Sequence, residues 1–181
     1  MEINMTRVHG GEGLPVVELA SRRLQHYRVR TDFRPSEEGG VTFIETMFPY
    51  KPALQEVKDF VIAVINADTD ETILSGYQWT VLHGEDAGKT VNVWLSAENK
   101  ENYKAKYDTA KDDPELAVWP AKFKVSENDD KTPVYEYFAD VNELKAFYYG
   151  GLSFIEATVN AGWVKKDSYD WTPYEEALNA L

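Results

Sequence analysis

The chain reads as an α+β protein: antiparallel hairpins and helices in ββα-ββα order, helices on one face of the sheet, preceded by an N-terminal β-hairpin and a helix. Two observations predict this. Val91, Val93 and Leu95 alternate with Asn92 and Trp94, the two-residue period of a strand, and run directly into Ser96 and a stretch without Gly or Pro up to Ala110. A second pair of alternating runs, 119–125 and 134–138, leads to Asp140 with Glu143 three residues on, the spacing of a capping box. Residues 72–111 and 117–162 therefore share one plan, hairpin then cap then helix. Their sequences agree too little for a duplication.

Taken in order, residues 1–14 hold Gly10, Gly11 and Gly13 among polar residues and read as a mobile arm, with ordered chain starting at Pro15. Residues 16–25 fit a short helix or a strand equally. Tyr27, Val29 and Phe33 then alternate with Arg28, Arg30 and Asp32, the stretch 34–40 is a turn, and Val41, Phe43 and Met47 alternate with Thr42 and Thr46. That is a hairpin with one apolar face. Two strands alone are marginal in water, so the face needs cover. Residues 1–50 thus read as an arm and hairpin extension, and 51–181 as an α+β domain.

Pro52 suits the first turn of a helix, and Leu54, Val57, Val61, Val64 and Ile65 recur at helical spacing. The helix is expected over 52–66, stopped by Asn66 to Asp70. Ile73, Tyr77, Trp79 and Val81 form one face of the next strand, with Gly76 as a bulge or a close backbone approach. The helix after Ser96 is expected over 97–111, with Asp112, Asp113 and Pro114 stopping it. In the last long helix Leu144, Tyr148, Gly151, Ile155 and Val159 line one face. Gly150-Gly151 in mid-helix is a kink or a close-packing site; continued apolar spacing favours close packing. Gly162 is expected to end that helix, and Thr172-Pro173 to open a short terminal one with Thr172 as cap.

Composition bounds the function. Of 181 residues, 31 are acidic and 19 are Lys or Arg, a formal net charge of −12. Such a chain repels phosphate backbones, and its basic residues gather only at Arg22-Arg23 and through Arg28, Arg30 and Arg34, so nucleic-acid binding is not expected. With no Cys, disulfides, thiolate metal sites and Cys nucleophiles are excluded. The longest apolar run, Phe60 to Ile65, falls far short of the roughly 20 residues of a membrane span. The first six residues do not resemble a signal peptide, so the cytoplasm, or a particle assembled there, is the expected location.

The motifs of known chemistry are missing. Asp68-Thr69-Asp70-Glu71 lacks the further ligands and Gly of a calcium loop and reads as a solvated acidic loop. His9, His26 and His83 show no i, i+4 metal spacing, and neither a G-x-S-x-G serine nor a phosphate-cradling loop is present. No catalytic residue, metal ligand or cofactor is assigned. Trp79, Trp94, Trp119, Trp163 and Trp171 would serve a carbohydrate-binding module if two were exposed and coplanar, although core positions suit them better. A small hydrolase would need carboxylates brought together in three dimensions.

The stretches 51–54, 73–79, 93–99 with 102–104, and 162–167 (Lys51-Pro52-Ala53-Leu54, Ile73 to Trp79, Val93 to Asn99 with Asn102-Tyr103-Lys104, and Gly162 to Asp167) resemble uncharacterised proteins encoded in prophages of gut bacteria. Residues 71–165 are similar to a domain of unknown function at the C-terminal ends of phage tail-fibre and tail-assembly proteins. That family has no assigned catalytic residues, and this chain lacks the fibrous repeat of a tail fibre. The resemblance implies a non-enzymatic phage or prophage protein, on the virion or in tail assembly, acting by protein–protein contact with itself or with other phage structural proteins. The contact surface is expected around Phe33, Phe43, Met47, Phe48 and Tyr50.

Overall fold

A computed structural model describes residues 5–181. In chain order the elements are β1 (Thr6–Gly10), β2 (Val17–Ser21), β3 (His26–Pro35), β4 (Val41–Phe48), α1 (Leu54–Ser75), β5 (Tyr77–Thr80), β6 (Thr90–Val93), α2 (Ala97–Asp112), β7 (Ala121–Glu127), β8 (Pro133–Phe138), α3 (Val141–Asp167) and α4 (Thr172–Ala180). All strand pairs are antiparallel, and the chain is α+β as expected. It divides into two compact units. One takes the chain up to Asp68 together with Gly162–Leu181, and the other is Thr69–Ala161. The cut expected at residue 50 thus falls inside a helix at 68, because the apolar stripe of α1 closes the core of the N-terminal sheet.

In the first unit the strands lie in the order β1-β4-β3-β2. The expected hairpin is its centre. Residues 6–10, read as arm, form an edge strand whose register on β4 runs Thr6 to Glu45 through Gly10 to Val41. Residues 17–21, where helix and strand were balanced, form the other edge. For β1, pairing with the distant β4 supplies backbone hydrogen bonds that local pattern does not announce, whereas β2 pairs with β3, which follows it directly. Residues 1–4 of the expected arm lie outside the described residues.

The hairpin faces are partly inverted. Tyr27, Val29 and Thr31 pair with Phe48, Thr46 and Ile44 on the core face. Below them lie Val57, Phe60, Val61, Val64 and Ile65 of α1, with Tyr174 and Leu178 of α4. Val41, Phe43 and Met47, expected as the apolar side, belong to the opposite face. A one-residue change of parity moves a whole strand between faces, and the two threonines at 42 and 46 disguised the parity here. On that opposite face Arg30 is 3% exposed, its guanidinium donating to Glu18 at 2.6 Å and to the Pro15 carbonyl at 2.9 Å.

α1 passes through Asn66 to Asp70 and runs on to Ser75. Asn, Asp and Thr each cost only tenths of a kcal/mol, about 0.5, relative to good helix formers, and do not stop a packed helix. Asp68 accepts from Arg34 at 2.7 Å and Lys165 at 3.4 Å. The stop is Gly76, at φ +86°, whose N–H reaches back to the Ile73 carbonyl. A Cβ there would run into the Val93 carbonyl oxygen, so the close backbone approach anticipated at this glycine is real. At α4 the cap differs from expectation: the Asp170 carboxylate accepts the Thr172 N–H at 3.0 Å, and Trp171 occupies the cap position.

In the second unit β5-β6 and β7-β8 remain two two-stranded ladders rather than one four-stranded sheet. A bulge takes Val125 out of the β7-β8 pairing, and its carbonyl accepts the Trp94 N–H at 3.4 Å. α2 and α3 contribute to one buried cluster with these strands, through Tyr103 and Tyr107 and through Leu144 and Phe147. Ser96 caps α2 by accepting the Asn99 N–H at 3.2 Å, and Asn99 returns a bond to the Trp94 carbonyl at 3.1 Å. Asp140 caps α3 for Asn142 and Glu143, while Glu143 reaches back to the Ala139 N–H. α3 continues unbroken through Gly150-Gly151 and, contrary to expectation, through Gly162 to Asp167.

Candidate functional site

An apolar site is in the second unit, where α2, α3 and the start of β5 meet. Two helical spacings build it. Tyr103 and Tyr107 turn inward from α2, and Phe147, Tyr148, Gly151 and Ile155 form a stripe on α3. The Tyr77 ring lies against the glycine pair: a Cβ on Gly150 would be 3.3 Å from it and one on Gly151 3.2 Å. That is the close packing expected at Gly150-Gly151, made by an aromatic ring rather than by backbone. The Tyr77 hydroxyl donates to the Phe147 carbonyl at 2.6 Å, which fixes the ring.

Between these walls is a pocket of about 220 Å³, lined also by Leu95 and Leu152. Lys100, Glu101 and Lys104 edge it, and Lys104 is paired with Asp108 at 2.5 Å. Burial pushes the Tyr103 hydroxyl up to about 12 and raises Tyr77 as well, so neither is a proton acceptor near neutrality. The Tyr103 hydroxyl is buried without a hydrogen-bond partner among the described residues. The pocket is suited to hold one apolar side chain or small apolar group, with charged groups only at its edge.

A second constellation lies on β8. Val134, Glu136 and Phe138 alternate inward, all fully buried. The Glu136 carboxylate accepts from Trp79 Nε1 at 2.8 Å, from the backbone N–H groups of Leu82 at 2.7 Å and His83 at 3.0 Å, and from its neighbour Tyr137 at 3.0 Å. Four donors occupy its oxygens, so it ties strand to loop and has no room for a substrate. His83 Nε2 is 3.0 Å from both oxygens of Glu143. The hydrogen bond to Glu143 raises the His83 pKa; the Ala139 N–H, then His83, lowers that of Glu143. Sequence found Glu143 through the capping box. It did not find its histidine, sixty residues away, or the burial of Glu136, which reads as an ordinary surface acid between two tyrosines.

The five expected contact residues separate. Phe43 is 3% exposed and Phe48 4%, so neither belongs to a surface. Phe48 is core, and Phe43 is covered on the opposite sheet face by Phe33, centroids 5.4 Å apart, and by the Arg30 guanidinium 5.3 Å from its ring. Phe33, Met47 and Tyr50 remain exposed, with Tyr50 donating to Glu56 at 2.7 Å. Among the tryptophans, Trp79 and Trp119 pack on the core of the second unit and Trp171 on that of the first. Trp94 and Trp163 are the exposed ones, one in each unit.

Asp68 to Glu71 is helical rather than a loop. Among the described residues, no group of three His, Asp or Glu is placed to hold a metal ion, and no helix is long and apolar enough to cross a membrane. Comparison of the chain with protein-family models, curated proteins and solved structures finds no match.

Proposed function

We propose that the chain is a non-enzymatic phage or prophage protein, on the virion or in tail assembly, that works by protein–protein contact, and that the apolar pocket between α2 and α3 receives an anchor side chain of its partner. The partner is a second copy or another phage structural protein. The observation that carries the reading is the pocket itself: aromatic and aliphatic walls, one ring held by a hydrogen bond, and charges only at the edge. Anchors seated in such pockets dominate contact energies, while a polar edge excludes water around them. The resemblance to phage tail proteins supports the setting.

The test is co-expression with the products of the flanking genes, followed by affinity measurement on any complex and by light scattering of the chain alone. Leu152 is 40% exposed on α3 and lines the pocket, so Leu152→Glu leaves the fold intact. It is expected to weaken the complex, or the self-association, at least about tenfold. A partner bound equally by both proteins, or a strictly monomeric chain that binds none of the flanking products, would sink the reading.

A further inference from the structure

Lys122 on β7 and Tyr135 and Tyr137 on β8 point away from the core cluster, on the side opposite Glu136. The Lys122 ammonium sits 3.8 Å from the centroid of the Tyr135 ring and 5.4 Å from that of Tyr137. These three residues line a depression with Gly84, Glu85 and Asp86 of the β5–β6 loop. Gly84 has φ +95°, and a Cβ there would lie 3.0 Å from the Tyr137 ring, so the loop is held close to the tyrosines. Neither Glu85 nor Asp86 makes an ion pair among the described residues.

We propose that this depression is a binding site for an organic ammonium group, and that the Lys122 ammonium occupies it in the unliganded chain as a stand-in for the ligand. Two ring faces attract a cation through their quadrupoles, and two unpaired carboxylates at the same depression add charge of the right sign. A neutral or anionic ligand would gain from neither. The ligand class is a lysine side chain of a partner, or a small alkylammonium compound. The site is separate from the apolar pocket, and the inference does not depend on the function proposed for that pocket.

The position of Lys122 makes the idea testable, since a ligand must displace it. An exposed cation–π contact corresponds to less than about tenfold in affinity, so the plug weakens binding without abolishing it. The probe is tetramethylammonium chloride titrated into the full chain at constant ionic strength, read by NMR shifts of the tyrosine rings, with sodium chloride as control. Wild type is expected to show saturable shifts at Tyr135 and Tyr137, and Lys122→Ala to bind about three- to tenfold more tightly. Tyr135→Leu, which keeps the bulk and removes the π face, is expected to lose binding in the Lys122→Ala background. Equal or weaker binding by Lys122→Ala, retention of binding by the Tyr135→Leu double variant, or shifts reproduced by sodium would overturn the proposal. So would saturable binding of a neutral sugar at the two tyrosines unaffected by the ammonium probe.

Discussion

At the scale of single residues, Glu136 is the most constrained side chain. A carboxylate with no exposure is tolerated because every oxygen lone pair it needs is met by an N–H. Glu136→Gln keeps the shape and replaces one oxygen with an NH2 facing two donors. We expect a loss of about 3 kcal/mol or more, read as a lower urea midpoint with unchanged slope. His83 and Glu143 form a pair with opposite titration behaviour. His83 is raised, so its contribution is complete below its ordinary value of 6.5 and is lost as pH rises through the folded value. Glu143 is lowered from 4.5, so its contribution is present above that value and is lost as pH falls through the folded one. The gap in thermal midpoint between wild type and His83→Asn is therefore widest between pH 4.5 and 6.5 and closes at higher pH. A gap that grows with pH above neutrality would contradict the assignment. The contact itself was hidden in the sequence, since nothing local links residue 83 to residue 143.

Among the elements, α1 and its terminator show how a helix end is decided. The polar run at 66–70 looked like a stop and was not; Gly76 was read within a strand and is the stop. Gly76 and Gly88 have nearly the same backbone angle, φ +86° and +87°, but different surroundings. Nothing lies within 4 Å of a Cβ at Gly88, whereas one at Gly76 meets the Val93 backbone. Gly88→Ala is expected to cost about 1 kcal/mol, the strain of a left-handed residue, and Gly76→Ala more than about 3 kcal/mol by denaturant unfolding. Similar costs for both would mean that β6 does not press on the glycine. The caps of α2 and α3 were legible because capping is local: Ser96, Asn99, Asp140 and Glu143 act within five residues of the backbone they bind. The β1 strand was not, because its partner β4 is distant; β2 pairs with the strand that follows it, and a register shift between Leu19 and Ser21 blurs its alternation.

At the scale of the whole chain, each unit has its own buried cluster, one built on Val29, Phe60 and Val61 and the other on Val93, Phe138 and Phe147. Val61→Ala and Phe138→Ala remove atoms from different clusters, and each should cost about 2–5 kcal/mol. If unfolding is a single transition, their effects are expected to add within about 0.5 kcal/mol in the double variant. A coupling energy well above that would contradict two separate clusters.

What the sequence by itself determined is the alternation of strands with helices, the α+β class, the caps of the two central helices and the apolar stripe of α1. Each rests on residues a few positions apart, where sterics and local hydrogen bonds act. Only the tertiary structure decided which face of β4 is core, that Phe43 and Phe48 are covered, that Glu136 is buried, and where Tyr77 meets Gly150-Gly151. Those outcomes depend on which distant surfaces meet, and burial is a property of the meeting rather than of the residue.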